Sequence, residues 1–252
     1  MNVTYYRYEM VRELRDRVGL FFTAGMPLFM YLVFGASRSY GDLSAGHGNL
    51  AAHVMISMAL YGAISATSSL GAAAALEKTL GWGRQLGLTP LADAQFVLVK
   101  AAAAVTMAAL PVAVIYATAA TTGARAEHQV WWQSALLVVL GAAMFALFGL
   151  CFGLGMRSRS AVGAASGALV VLAFLGGLFM PLSGVLLQIG RLTPLYGVAQ
   201  LARHPLTGGH TIDGDGHLVA EPLWIPLANV AAWLVILGVL ATLLVRRGRE
   251  RA

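Results

Sequence analysis

The chain has 252 residues, of which 58% are apolar and only 11% are charged, and its mean hydropathy is +0.73. A soluble domain carries about 25% charged residues, so the composition excludes a water-soluble globular protein and indicates a membrane protein. The net charge of +6 does not call for a nucleic-acid partner, because basic residues gathered on one side of a membrane account for it.

Six long apolar runs predict six transmembrane helices in a single all-α membrane domain over residues 1–252. About 20 residues at 1.5 Å each cross a hydrocarbon core of roughly 30 Å. The predicted spans are residues 18–37, 54–76, 98–122, 131–156, 160–180 and 222–245. The fifth run continues beyond one crossing and is interrupted by Pro181, so we expect a membrane-dipping piece over residues 181–205.

The distribution of basic residues predicts the orientation. With six spans both termini lie on one side, and the opposite loops hold only Arg38, Arg125, Arg191 and Arg203. Lys and Arg accumulate on the cytoplasmic side of a membrane. Both termini are therefore expected in the cytoplasm. The basic residues on that side are Arg7, Arg12, Arg15, Arg17, Lys78, Arg84, Arg157, Arg159, Arg246, Arg247, Arg249 and Arg251.

The first 17 residues predict an amphipathic helix at the membrane surface. Tyr6, Met10, Leu14 and Val18 recur every four positions, which places them on one helix face. Such a helix lies in the headgroup region with its apolar face down. The alternative is a plain cytoplasmic extension of the first span.

The predicted spans contain no internal source of energy. Every acidic residue falls outside them, whereas ion-driven transporters need an ionisable or coordinating group near the midplane. The sequence also has no GxxxxGK[ST] phosphate-binding loop and no buried nucleophile with a base, so we expect no catalytic centre. A chain that moves a solute uphill without these groups needs energy from a partner.

Residues 77–91 form a charged island between two apolar runs, within the segment 74–100, AALEKTLGWGRQLGLTPLADAQFVLVK. This segment resembles the first cytoplasmic loop of ABC-2 type transporter permeases. The family pattern is matched in order and spacing by Glu77, Lys78, Gly81, Thr89, Pro90, Leu91 and Lys100. Trp82 stands where the family usually has Thr, and Arg84 where it often has Glu.

Two further segments resemble the same family. Residues 174–203, FLGGLFMPLSGVLLQIGRLTPLYGVAQLAR, are similar to its extracellular re-entrant hairpin, with Pro181 closing one helix and Pro194 opening the return. Residues 12–35, RELRDRVGLFFTAGMPLFMYLVFG, are similar to its N-terminal region. The resemblance therefore extends along essentially the whole chain.

The resemblance implies a permease subunit that pairs with a second, identical or homologous permease and docks two copies of an ABC ATPase subunit. The chain itself would bind no cofactor, and ATP and Mg would sit on the ATPase. Residues 77–95 would form a coupling loop that presses on the ATPase. The implied coupling residues are Glu77, Lys78, Leu80, Trp82, Arg84, Leu86, Thr89 and Pro90.

The translocation path in similar permeases runs between the second and fifth helices at the dimer interface. Methionine and aromatic side chains form an adaptable apolar wall that suits lipophilic cargo. The candidate path residues are Met55, Met58, Tyr61, Val171, Phe174 and Phe179. We read the small-residue pairs Gly149/Gly153 and Gly163/Gly167 as sites of close intrachain helix packing.

A group of polar residues near the C-terminus, His210, Asp213, Asp215 and His217, is compatible with a zinc site. The glycines between them favour a solvated turn, so we predict no metal site.

The sequence therefore favours a multi-pass permease in the bacterial cytoplasmic membrane. It would export a lipophilic small molecule, an antibiotic or a lipid-linked compound with energy from the ATPase. The alternatives are a non-transporting immunity or assembly factor on the same scaffold and a secondary transporter.

Overall fold

A computed structural model describes residues 3–36, 41–79, 93–156, 158, 160–212 and 218–249. The described part is mainly helical. In chain order its elements are α1 (Val3–Arg15), α2 (Arg17–Leu20), a π-helical turn (Phe21–Gly25), α3 (Met26–Phe34), α4 (Leu50–Thr79), α5 (Asp93–Thr122), α6 (His128–Met156), α7 (Ser160–Leu175), α8 (Gly184–Arg191), α9 (Pro194–Thr207), β1 (His210–Ile212), β2 (Leu218–Ala220) and α10 (Trp224–Arg249).

Among the described residues, five helical segments are long and apolar enough to cross a membrane, which agrees with a multi-pass membrane protein. They are Arg17–Phe34, Leu50–Glu77, Leu98–Thr122, His128–Met156 and Trp224–Arg247. The helix of the fifth predicted span is shorter, with only 16 residues in α7. A sixth crossing therefore stays a prediction.

Helix α7 ends at Leu175, before the end at residue 180 that the apolar run predicts for the fifth span. Two glycines follow, and Gly177 has a φ of 64°, a left-handed conformation that glycine adopts without steric cost. The turn at Gly176 and Gly177 therefore stops the helix before Pro181 is reached.

Two short helices occupy the region predicted as a re-entrant hairpin. Helix α8 is largely exposed, whereas α9 is mostly buried against α6 and α10. Pro194 begins α9, as expected for a residue whose missing N–H is harmless in the first turn. A dip of this region into the lipid stays a prediction.

An antiparallel pair of short strands, β1 and β2, follows α9, with Thr211 opposite Val219. The all-α prediction missed this pair. Each strand has only three residues, which is too short for an alternating pattern to stand out in the sequence. The predicted polar group here lies partly outside the described residues, which include His210 but not Asp213, Asp215 or His217.

The first predicted segment, residues 1–17, contains α1, and a break at Asp16 separates α1 from the first span. The Asp16 carboxylate accepts a hydrogen bond from the Gly19 N–H at 3.0 Å and so caps α2. Met10 of α1 packs against a small apolar cluster that includes Leu70 and Met107. Helix α1 is thus attached to the helix bundle as well as to the first span.

Helix α4 lies at the centre of the bundle, and its most extensive contact is with α6. The two backbones approach so closely that a Cβ atom at Gly149 would lie 1.9 Å from the Ser68 carbonyl oxygen, and one at Gly71 would lie 2.1 Å from that of Ala146. Gly153 likewise faces Ala72 and Ala75 of α4. The packing role expected for Gly149 and Gly153 is confirmed.

The same expectation is wrong for Gly163 and Gly167 of α7. A Cβ atom at either position would meet nothing within 4 Å. Their faces carry no intrachain helix contact in the described part of the chain.

The different surroundings of Gly149 and Gly163 predict opposite effects of the same change to alanine. Gly149→Ala should destabilise the protein by about 1–3 kcal/mol, because the added methyl group overpacks a backbone contact. Gly163→Ala should be neutral or stabilise it by up to about 1 kcal/mol, since alanine favours the helix and meets no neighbour. Thermal unfolding of both purified variants in one detergent tests this, and equal melting temperatures would contradict the packing described here.

Candidate functional site

An ion cluster joins three helices at one end of the bundle. The Lys100 ammonium group on α5 donates to Glu9 Oε1 of α1 at 2.6 Å and to Glu77 Oε2 of α4 at 2.7 Å. Arg12 of α1 pairs with Glu9 at 2.6 Å, with Glu13 at 3.0 Å and also with Glu77. We call Glu9, Arg12, Glu13, Glu77 and Lys100 the ion cluster.

The centre of the ion cluster is shielded from solvent. Glu9 is 3% exposed and Lys100 is 10% exposed, whereas Arg12 at the rim is 48% exposed. Charges at the centre are therefore poorly hydrated, and each depends on its opposite partner.

The carboxylates of the ion cluster affect the pKa values of Tyr5 and Arg12. Burial raises the pKa of Tyr5 to about 12, and the charges of Glu9 and Glu77 act in the same direction. Burial lowers the pKa of Arg12, but its hydrogen bond to Glu13 and the charges of Glu77 and Glu9 outweigh burial, so the net shift is upward. Arg12 therefore stays positively charged near neutral pH.

The cluster connects the two ends of the predicted coupling segment. Helix α4 ends at Thr79, two residues after Glu77, and α5 begins at Asp93, seven residues before Lys100. The Glu77–Lys100 pair thus joins the helix that enters the segment to the helix that leaves it. Through Glu9 and Arg12, helix α1 is held at the same point.

The predicted coupling residues are placed only in part. Glu77 lies in the ion cluster, and Lys78 lies in the last turn of α4, with a side chain outside the described residues. The remaining members also lie outside them: Leu80, Trp82, Arg84, Leu86, Thr89 and Pro90. Their contact with an ATPase stays a prediction.

A cleft of about 490 Å³ opens beside the ion cluster, between the first span, α4 and α7. Its walls are apolar with several hydroxyl groups, and two carboxylates lie at its edge. No Lys or Arg lines it among the residues that the structure describes. The lining residues are Glu13, Asp16, Val18, Gly19, Leu20, Phe22, Thr23, Tyr61, Ser65, Ala66, Ser69, Leu70, Met107, Val162, Ser166, Gly167 and Val170.

Local backbone geometry brings the first span close enough to form this cleft. The π-helical turn carries Thr23, whose carbonyl oxygen would lie 2.4 Å from a Cβ atom at Gly62 of α4. A glycine is therefore needed opposite the turn. A π-turn adds a residue to one helical turn and shifts the direction of the side chains that follow.

The candidate path residues separate into two groups. Tyr61 lines the cleft, and its ring lies 5.2 Å from that of Phe179, which in turn lies 4.9 Å from that of Phe174. Phe174 and Val171 are about half exposed on α7.

Met55 and Met58 lie elsewhere. Both are fully buried in the helix core, and neither lines the cleft. A path role for these two methionines stays a prediction that the cleft does not support.

Sequence reasoning missed the buried position of Glu9 and the hydroxyl groups of the cleft. Glu9 lies three residues before Arg12, a spacing that predicts an ion pair between them on one helix face. Its contact with Lys100 spans 91 residues, and no local pattern indicates it. Ser65 and Ser69 lie one helical turn apart on α4, which is a signal for a polar stripe on that helix.

The chain is similar in sequence to a transport permease over nearly its whole length. Over 249 residues, covering 96% of this chain and 95% of the relative, it is 25% identical to the protein named "Putative transport permease YvfS" of Bacillus subtilis (strain 168). No protein-family model matches the chain.

The ion cluster predicts a large loss of stability when its central cation, Lys100, is removed. Lys100→Met should destabilise the protein by about 3 kcal/mol, because Glu9 then stays buried with less opposite charge. Glu13→Gln, at the solvated edge of the same cluster, should cost at most about 1 kcal/mol. Chemical denaturation of both variants measures the difference.

A double variant separates charge pairing from general damage. Because Glu9→Gln removes the charge that Lys100 balances, the pair Glu9→Gln and Lys100→Met should cost less than the sum of the single changes. Strict additivity would contradict a direct ion pair.

Proposed function

We propose that this chain is the membrane permease subunit of an ATP-driven ABC exporter. The observation that carries the proposal is the similarity to a named transport permease over nearly the full length of both proteins, in a chain with five apolar membrane-length helices. The resemblance of residues 74–100 to the coupling loop of ABC-2 permeases supports the choice of ATP as the energy source. ATP and Mg would be bound by the partner ATPase.

The ion cluster provides a physical route for the coupling step. A force applied to residues 80–92 would act on α4 and α5 together. The Glu77 side chain of α4 and the Lys100 side chain of α5 form an ion pair at 2.7 Å, which links the two helices. The Glu9 and Arg12 contacts bring α1 into the same unit. The three helix ends would therefore move together rather than bend independently.

The cleft is the best candidate for the cargo path. Its volume of about 490 Å³ falls in the range of roughly 300–1,000 Å³ that holds small organic ligands. Apolar walls with hydroxyl groups from Thr23, Ser65 and Ser166 suit a lipophilic molecule with a few polar groups. Tyr61 extends this wall toward Phe179.

A second permease copy would close the open side of the cleft. Gly163 and Gly167 of α7 have no intrachain neighbour at the Cβ position, and the next turns of α7 expose Val171 and Phe174. A face of this kind allows another helix to approach closely in a membrane. The proposed dimer contact would then lie beside the proposed path.

The proposed coupling step predicts that Leu86 is needed for ATPase coupling. The permease should co-purify with a partner ABC ATPase and stimulate ATP hydrolysis in liposomes. Leu86→Arg should weaken the complex by about 2 kcal/mol, or roughly 30-fold, as for loss of an apolar anchor. Leu86→Met serves as the matched control and should keep both binding and stimulation.

Two results would overturn parts of this proposal. Full stimulation by the Leu86→Arg variant would exclude the coupling role. Absence of any associating ATPase would favour a non-transporting membrane factor or a secondary transporter.

The proposed path predicts that filling the cleft stops transport without breaking the complex. Ser65→Trp should reduce ATP-driven uptake of cargo into inverted vesicles about tenfold or more, since the indole ring occupies the cleft, while ATPase binding is kept. Thr121→Trp, at an exposed position on α5, should transport normally. Normal uptake by the Ser65→Trp variant would exclude this cleft as the path.

A further inference from the structure

Arg203 is a buried arginine at the end of the bundle opposite the ion cluster. It lies on α9 and is only 4% exposed. Its Nε and Nη2 atoms donate to the Ser57 hydroxyl of α4 at 3.1 and 2.8 Å, and Nη2 also donates to the Gly177 carbonyl at 2.7 Å. Arg203 thus links α9 to α4 and to the turn that ends α7.

The Ser57 hydroxyl is oriented to accept these bonds. Its own hydrogen is donated to the His53 carbonyl oxygen at 2.7 Å, so the lone pairs of the oxygen face the guanidinium group. Ser57 provides polar contacts for Arg203, but no negative charge.

No carboxylate among the described residues forms an ion pair with Arg203. Helix α8 has an ion pair, but it joins Arg191 to Glu221 at 2.7 Å and does not involve Arg203. Burial lowers the pKa of Arg203 to about 10, so it is still protonated near neutral pH. A buried charge in this state is stabilised by any anion that reaches it.

A small polar pocket provides access to Arg203. The pocket holds about 20 Å³, and no carboxylate lines it among the described residues. Its polar lining comprises His53, Tyr196, Gln200, Arg203, His210 and Thr211 beside an apolar edge that includes Pro181. A volume of this size accommodates a particle close to the size of one water molecule.

Hydrogen-bond donors remain available in this pocket. All described hydrogen bonds of the Arg203 side chain come from Nε and Nη2, which leaves the two N–H groups of Nη1. Thr211 accepts from the Gln200 amide, so the hydroxyl hydrogen of Thr211 can point into the pocket.

We propose that the pocket binds a single monatomic anion of the size of chloride, held by the guanidinium group of Arg203 with the Thr211 hydroxyl as a second donor. The small volume favours a monatomic anion over a phosphate group, whose four oxygens need more space. The bound anion balances the charge of Arg203 and so stabilises the junction of α4, α9 and the turn after α7. This inference does not depend on the proposed transport function.

Halide exchange on the purified full-length protein tests the site. Replacing gluconate by chloride at a constant ionic strength of about 0.15 M should raise the melting temperature by about 2–4 °C. The Arg203→Gln variant should lose this rise. The Arg191→Gln variant, which removes the ion-paired arginine, should keep it.

A measurement on the unchanged protein avoids reliance on folded variants. Crystals grown in bromide should show one anomalous peak within about 3.5 Å of the Arg203 guanidinium nitrogens. The proposal would be overturned by the absence of a peak at Arg203 together with equal melting temperatures in chloride and gluconate. Stabilisation by phosphate but not by chloride would overturn it as well. A chloride response that persists in Arg203→Gln would also exclude this pocket as the site.

Discussion

The close contact between α4 and α6 is the constraint on which the remaining structure depends. Gly149, Gly153 and Gly71 allow the two backbones to meet with no side chain between them, which keeps α4 at the centre of the bundle. In a membrane, where the surrounding lipid is as apolar as the side chains, such van der Waals contact contributes much of the helix association. Glu77, Tyr61 and Ser57 all project from this one helix, so its position determines the geometry of the ion cluster, the cleft and the Arg203 pocket.

The two ends of the bundle accommodate buried positive charge in different ways. At one end Lys100 lies between the carboxylates of Glu9 and Glu77, an arrangement in which opposite charges compensate for lost hydration. At the other end Arg203 has a hydroxyl and a carbonyl group but no described carboxylate. The first arrangement is suited to holding helices together as a unit. The second leaves a positive charge that an additional anion can balance.

Prediction from the sequence worked best where the physical signal is local. The apolar runs of α4, α5, α6 and α10 are long enough to predict membrane helices by length alone, and all four exist. The fifth helix ends earlier than its apolar run because the conformation of Gly177, rather than hydropathy, stops it. The glycine pairs on α6 and α7 have the same sequence spacing, yet only the pair on α6 faces another backbone.

The sequence by itself determined the membrane class of the protein, the approximate positions of five long apolar helices and the position of the polar segment around residues 77–95, because hydropathy and charge are properties of consecutive residues. Only the tertiary structure decided that Glu9 meets Lys100, that Tyr61 lines a cleft whereas Met55 and Met58 do not, and that Arg203 is buried. These facts depend on which faces of distant helices come together. Packing between helices that are far apart in the chain decides which faces meet, and no local sequence pattern predicts it.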